Sequence, residues 1–220
     1  MPTYEGLRLK VLKYRRLRFA NWRKKQLTNT DFTIISNNCW GGMVYESYNL
    51  PKGSPTVGMF FMAEDYIKFL VHLKEYLAAP LSFITPTESR WRNAPEVFGD
   101  KRVGSYPIGK LEITGENVEN IELFFLHYHS EDEAREKWER RCERINWDHM
   151  LVKFNDQNGC EERHIRRFDA LPYKNKVCFI VKEQPKCKSV IHIKAPQSHK
   201  FVKASYEPFG AKVTELINGL

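Results

Sequence analysis

The chain has 220 residues, 42% of them hydrophobic and 28% charged, which suits a globular protein with one well-buried core and favours one domain over two. No apolar run reaches the roughly eighteen residues a membrane span needs, and no apolar stretch followed by a small-residue cleavage site opens the chain, so a secreted or membrane-spanning protein is not indicated. Five cysteines (Cys39, Cys142, Cys160, Cys178, Cys187) lie at irregular spacing without a C-x-x-C pair, which argues against a disulfide framework or a structural zinc site and fits a reducing cytoplasm.

The formal charge of +8 is confined to one segment. Residues 1–30 hold nine Lys and Arg against Glu5 alone, and the remainder balances 26 basic with 26 acidic side chains. A nucleic-acid binder needs a basic surface built into the fold or an arm beside a groove reader, and no reader motif is present. The arm predicts a helix: Leu7, Val11, Tyr14 and Trp22 fall on one side, with Arg18 interrupting the stripe. It is expected either as a solvated basic extension or as an anchor to anionic lipid, each cation near such a surface contributing about 1 kcal/mol.

From residue 31 onward a single α/β domain is predicted. Phe32–Ser36 is β-branched and reads as a buried strand, running into the turn-rich Asn37-Asn38-Cys39-Trp40-Gly41-Gly42. Ser54-Pro55-Thr56 precedes a second apolar run, Val57 to Met62. Tyr66, Leu70, Leu73 and Leu77 then recur at helical spacing, closed by Pro80. Residues 85–110, rich in Pro and Gly, predict loops and short strands. Ile121 to His127 is the strongest strand candidate. Ser130-Glu131-Asp132-Glu133 fits a capping box that starts a helix with a buried stripe of Ala134, Trp138, Cys142 and Ile145. Leu151–Phe154, Val177–Val181 and Val190–Ile193 predict three more strands, and Ala211–Ile217 a closing helix. The alternation points to a three-layer α/β sandwich with a mostly parallel, or mixed, sheet.

Four segments are candidates for chemistry. The first follows the first strand, where α/β folds bind ligands. Glycines there let backbone amides approach a phosphate or oxyanion, and Cys39 is a candidate nucleophile if nearby amide dipoles lower its pKa; a tight turn with a buried cysteine is the plainer reading. The segment is neither GxGxxG nor a Walker loop. The second is His127-Tyr128-His129, whose histidines share a face if the strand continues, with one as a general base. In the third, Arg141 and Arg144 stand three apart and suit a phosphate or carboxylate, though a solvated helix face explains them equally. In the fourth, Leu171 to Lys176, Lys174 is placed to flank an anion. Asp156 is a lone carboxylate at a strand end. No metal-ligand set is indicated.

Taken together, Ser36 to Gly42, Ser54-Pro55-Thr56, Tyr106-Pro107-Ile108-Gly109, His127-Tyr128, Trp138-Glu139-Arg140-Arg141 with Arg144-Ile145-Asn146, and Leu171 to Lys176 resemble a bacterial family of unassigned function whose members are commonly labelled exopolysaccharide biosynthesis proteins. The resemblance spans about residues 30–182 and implies a cytoplasmic protein of capsule, exopolysaccharide or lipopolysaccharide assembly. It supplies no catalytic residues. The strand followed by Asn38-Cys39 is also similar to the Asn-Cys turn of a coenzyme A-binding capsule acetyltransferase family, from which this chain departs at Asn37 and Trp40.

The resulting expectation is a transferase acting on a sugar or lipid-linked saccharide, in its most concrete form an acyltransferase using a coenzyme A thioester. His127 takes a proton from a sugar hydroxyl or activates Cys39, Gly41 and Gly42 amides hold the oxyanion, and Arg141, Arg144 and Lys174 meet donor phosphates. Asn37, Asn38, Trp40, Ser54, Tyr106, His129, Asn146 and Asp156 complete the candidate binding set, and the basic arm docks at the inner face of the membrane. One alternative is glycosyl or sugar-phosphate transfer from a nucleotide sugar, made less favourable by the lack of an Asp-x-Asp pair. Another is a non-catalytic sugar-binding or scaffolding module, with Trp40 and Trp91 as stacking platforms.

Overall fold

In the computed structural model the described residues are 4–114, 120–182 and 187–220. In chain order they form α1 (Tyr4–Arg18), α2 (Ala20–Lys24), β1 (Thr33–Ser36), α3 (Trp40–Ser47), α4 (Ala63–Val71), α5 (Leu73–Ala78), β2 (Leu81–Ile84), α6 (Pro95–Phe98), β3 (Ile108–Leu111), β4 (Ile121–Phe124), α7 (Glu131–Cys142), β5 (Met150–Asn155), α8 (Glu162–Ala170), β6 (Lys176–Ile180), β7 (Val190–His192), a 3-10 turn at Ala204–Tyr206, and α9 (Ala211–Asn218).

Four strands make a parallel sheet in the order β1-β5-β6-β7, with Thr33 opposite Met150 and Val152 opposite Lys176. These strands read as nearly continuous apolar runs because both faces are covered. Alternation sends Ile34, Leu151, Val177 and Phe179 into a core with Trp40, Val44, Tyr45 and Tyr48 of the α3 region and Val213 and Ile217 of α9. Their neighbours Ile35, Val152, Phe154, Cys178 and Ile180 face the opposite core, shared with Tyr66, Phe69 and Leu70 of α4 and Ile165 and Phe168 of α8. Helices on both faces of one sheet give the three layers that the alternating pattern predicts.

The strongest predicted strand belongs elsewhere. β4 pairs antiparallel with β3, which pairs antiparallel with β2, forming a second, three-stranded sheet packed beside the first. β4 also ends at Phe124, so His127 lies in a turn and strand alternation does not govern the two histidines.

The apolar run Val57 to Met62 enters neither sheet as a strand, and it joins them. Phe60 exchanges two backbone bonds of 3.0 Å with Phe124, while Phe61 N–H donates to Asn37 O at 3.0 Å, just past β1. His127 N–H donates to Gly58 O at 3.0 Å, and the Tyr128 hydroxyl donates to Val57 O at 2.6 Å. Gly58 sits at φ +82°, where its missing Cβ avoids the Tyr128 ring.

Two local predictions are refined. The helix read from Tyr66 to Leu77 breaks at His72 (φ −120°, ψ 41°), after which Leu73 and Tyr76 are again buried. At the α7 start, Ser130 Oγ accepts from Glu133 N–H at 3.1 Å, while the Glu133 carboxylate accepts from His129 N–H, one residue before the cap.

The basic arm is helical, and its described part, from Tyr4, packs on the body. Ala20, Arg16 and Arg23 are buried. Arg23 Nε donates to Ser47 O at 2.8 Å and its Nη2 to Arg16 O, while Arg8 lies 4.2 Å over the Tyr206 ring.

Gly109 on β3 faces Phe125 and Leu81 so closely that an added Cβ would lie 2.6 Å and 2.8 Å from them. Gly109→Ala is therefore expected to destabilise the fold by about 1–3 kcal/mol through overpacking, read as a lower urea midpoint at unchanged slope; an unaltered midpoint would show that the small sheet yields.

Candidate functional site

The strip from Val57 to Met62 brings the turn after β1 beside the turn after β4. Cys39, Met43 and His127 form a ridge between two clefts and line both. Both open beyond the carboxyl end of β1, where open α/β sheets bind ligands.

The first cleft, about 480 Å³, is cationic. Lys13 and Arg16 of α1, Lys52, and Lys137 and Arg141 of α7 line it, with Glu46 as its carboxylate. Arg16 is 3.7 Å from Glu46, and burial pulls its pKa down. Lys137 is paired with Glu133 at 2.5 Å. Arg141 differs from both. The residue is buried, at 9% exposure, and its guanidinium donates to the Tyr128 hydroxyl at 2.5 Å, with Val57 O at 3.5 Å. Both partners are neutral, and no carboxylate among the described residues pairs with it.

The second cleft, about 460 Å³, carries carboxylates and amides: Glu96, Asp100, Glu207, Asn38, Gln157 and Asn158, with Arg102 as its cation. Behind it lies a buried polar network. Lys153, fully buried on β5, donates to Glu207 Oε1 at 2.5 Å and to Asn38 Oδ1 at 2.9 Å. Glu207 Oε1 also accepts from Asn38 and Asn155 at 2.9 Å and 3.2 Å, and Asn155 Oδ1 accepts from Asn37 at 2.8 Å. Burial lowers the Lys153 pKa, and the Glu207 carboxylate opposes that shift.

The ridge groups are tuned in opposite ways. Burial, then the Glu207 carboxylate, pushes the Cys39 thiol up to about 12, so it is protonated at neutral pH. The lowered thiol pKa expected from nearby amide dipoles does not arise, because desolvation disfavours the thiolate. His127 moves down from its ordinary value, first through burial and then through Arg102 and Lys52, which favours the neutral imidazole.

The other candidates have definite places. Gly41 and Gly42 let α3 sit against the body: a Cβ on Gly41 would lie 3.2 Å from Ser36 Oγ, and one on Gly42 3.1 Å from Val57. Gly41 N–H points to Ser36 Oγ at 3.4 Å, while Gly42 lines the cationic cleft. Trp40 is buried, donating from Nε1 to Pro208 O at 2.9 Å, and Trp91 Nε1 donates to Asp65 at 2.7 Å. Ser54 is buried and donates to Ile34 O at 2.5 Å; the Tyr106 hydroxyl faces Asp100 at 3.4 Å. Asp156 accepts from the amides of Val181 and Val202 at 2.8 Å and 2.7 Å, tying β6 to the following chain.

Arg144 and His129 are exposed and line neither cleft. Arg144 lies beyond the end of α7, so the three-residue spacing does not pair it with Arg141. Asn146 donates to Asp31 at the amino edge of the sheet. Lys174 lines a cavity of about 620 Å³ against α9 that shares no lining residue with the two clefts. Lys13, Lys52, Arg102, Lys153 and Glu207 were not read from sequence as site residues. Only Lys153 left a signal, a lone charge inside the apolar run Leu151 to Phe154.

Fold and clefts together define a single-body α/β protein with two neighbouring clefts beyond the carboxyl end of β1, in a four-stranded parallel sheet. The chain belongs to the family described as domain of unknown function DUF1919, whose model matches residues 10–217. It is similar to an uncharacterized protein of Haemophilus influenzae (strain Rd), at 32% identity over 207 residues, covering 94% of this chain and 89% of that protein. No helix among the described residues is long and apolar enough to cross a membrane.

Lys153→Met leaves the Glu207 carboxylate buried without its counter-ion and is expected to cost about 3–5 kcal/mol, measured by urea denaturation. The double variant Lys153→Met/Glu207→Leu should recover part of that loss; a double variant as unstable as the single one would mean that the pair's charges are not what holds the two strands and the 207 segment together.

Proposed function

We propose that this chain is a transferase of bacterial surface polysaccharide assembly, binding a phosphate-bearing donor in the cationic cleft and a saccharide hydroxyl in the neighbouring cleft. The observation that carries the reading is Arg141. A buried guanidinium bonded only to neutral oxygens is costly unless an anion completes it. A phosphate or pyrophosphate of a coenzyme A thioester or a nucleotide sugar supplies that anion, and a guanidinium offers it two parallel donors. Lys13, Arg16, Lys52 and Lys137 add to the same field.

On this reading His127 is the general base. Its neutral imidazole takes the proton from the acceptor hydroxyl as that oxygen attacks the donor, and the phosphate-bearing leaving group departs into the cationic cleft. Cys39, held as a thiol, packs the ridge and does not form a covalent intermediate. Carboxylates and amides of the second cleft suit the hydroxyls of a saccharide, free or lipid-linked. Among the described residues the cysteines are free thiols, consistent with action on the cytoplasmic side of the membrane.

A thermal-shift screen against coenzyme A, acetyl-coenzyme A, nucleotide sugars and pyrophosphate tests the donor. A ligand at about one hundred times its Kd adds about 2.7 kcal/mol, which raises Tm by about 5–10 °C for a chain of this size. Arg141→Met should abolish the shift and Lys52→Ala weaken it. If no phosphate-bearing compound stabilises the native chain, the reading fails.

Transfer should persist below pH 6.5, because the lowered His127 pKa keeps the imidazole neutral there, and should fall off once the pH drops through that pKa. His127→Ala should lower kcat by about 10²–10⁴-fold and remove the acid limb, while Cys39→Ala should leave kcat within about tenfold. A Cys39→Ala loss as large as that of His127→Ala would restore the thiol as the reacting group.

A further inference from the structure

The predicted apolar stripe of the N-terminal helix faces outward. Tyr4, Leu7, Val11 and Tyr14 recur at three- and four-residue steps on one side of α1, and Tyr4 and Tyr14 are 75% and 61% exposed. Leu17, Phe19 and Trp22 continue the exposed series into α2. Seven of the eleven large hydrophobic residues exposed among the described residues thus lie within residues 4–22, whereas Val71, Phe98, Trp147 and Phe201 are spread along the rest of the chain. A concentration of this kind on an otherwise polar surface marks an interaction face.

Its charges select the partner. Lys10, Arg15 and Arg18 are exposed on α1, and Lys24 and Lys25 follow on α2 and its end. Arg18 donates to the Tyr14 hydroxyl at 3.0 Å and lies 5.8 Å over the Phe19 ring, so cation and aromatic side chains form one surface. The arm's sole carboxylate, Glu5, is turned to the body, where it accepts from Ser205 Oγ at 2.8 Å. A second copy of the chain would set these cations against their own kind. An anionic bilayer complements them, and its headgroup boundary receives the apolar and aromatic side chains.

We propose that the outer face of α1 and α2 is an in-plane membrane-docking surface, seated on anionic lipid with Leu7, Val11, Tyr14 and Trp22 entering the headgroup boundary. The opposite side of α1 supplies Lys13 and Arg16 to one cleft and Leu9 to the other. Docking therefore holds both clefts beside the bilayer, within reach of a lipid-linked molecule. The surface stands independently of the transferase reading, since lipid binding requires no turnover.

Flotation of the full chain with phosphatidylcholine vesicles, with and without phosphatidylglycerol, tests it. The native chain should float only with phosphatidylglycerol, and Trp22→Phe should remove a blue shift of tryptophan emission seen on binding. Leu7→Gln/Val11→Gln and Lys10→Gln/Arg15→Gln/Arg18→Gln should each weaken binding by about tenfold or more, with Tm unchanged because all five side chains are exposed. Absence of binding by the native chain at low salt would overturn the proposal. So would undiminished binding by the Leu7/Val11 variant, or a concentration-dependent dimer that this variant dissolves. A chain that floats with anionic vesicles yet binds no phosphate-bearing donor would keep this surface and discard the transferase.

Discussion

Residues Val57 to Met62 carry backbone bonds on two sides, and the geometry of the clefts follows from that constraint. Buried amides and carbonyls must find partners. Phe60 finds them in Phe124 at the end of the small sheet, and Phe61 finds one in Asn37 at the end of β1. Gly58 O takes the amide of His127, and Val57 O takes the hydroxyl of Tyr128. A segment with no strand of its own thus fixes the spacing between two sheets. Their two terminal turns become the ridge of Cys39, Met43 and His127, with a cleft on either side.

Charge is segregated around that ridge by what lies behind each wall. Lys153 and Glu207 neutralise each other inside the body, bound further by Asn38 and Asn155. The network anchors the 207 segment to β5 and holds a carboxylate near Cys39, which together with burial keeps the thiol protonated. On the other side Arg141 rests on Tyr128, which in turn bonds the Val57 carbonyl. The cation that the proposed donor would meet is therefore held by the same strip that builds the ridge. Low solvent access strengthens both effects, since interactions between charges grow as water is excluded.

The arm illustrates how one sequence pattern serves two surfaces. Leu7, Val11 and Tyr14 are legible as a stripe, and a stripe ordinarily faces a core. Here the body contacts fall on the other side, through Leu9, Leu12 and Arg16, since Arg16 finds Glu46 and its carbonyl takes the Arg23 guanidinium. Aliphatic stems of arginine cover apolar surface while their heads reach polar partners. Buried arginines thus take the place that periodicity assigns to leucines, and the apolar side is left outward.

Local patterns in the sequence determined the strands of the parallel sheet, the helices α4 and α9 on its two faces, the Ser130 cap and the turn that opens after β1, whereas α3, which begins inside the predicted turn at Trp40, and α8 were not legible. Each legible element depends on alternation, propensity or capping among residues close along the chain. Ile121 to His127 was also legible as a strand, but pairing decided that it ends at Phe124 and joins an antiparallel sheet, because local sequence does not encode the neighbour. Cys39 was legible as a turn residue after the first strand and His127 as the end of another strand, whereas the turn that holds His127 and the ridge it shares with Cys39 came from the long-range bonds of residues 57–62. Arg141 and Arg144 looked equivalent at a spacing of three; the end of α7 and the position of Tyr128 buried one and exposed the other. Lys13, Lys52, Arg102 and Glu207 gave no signal, for a charged residue acquires its role from what faces it across space. Covalent neighbours set an element's kind and extent, whereas desolvation and counter-charge, which arise only on packing, set the chemistry of its side chains.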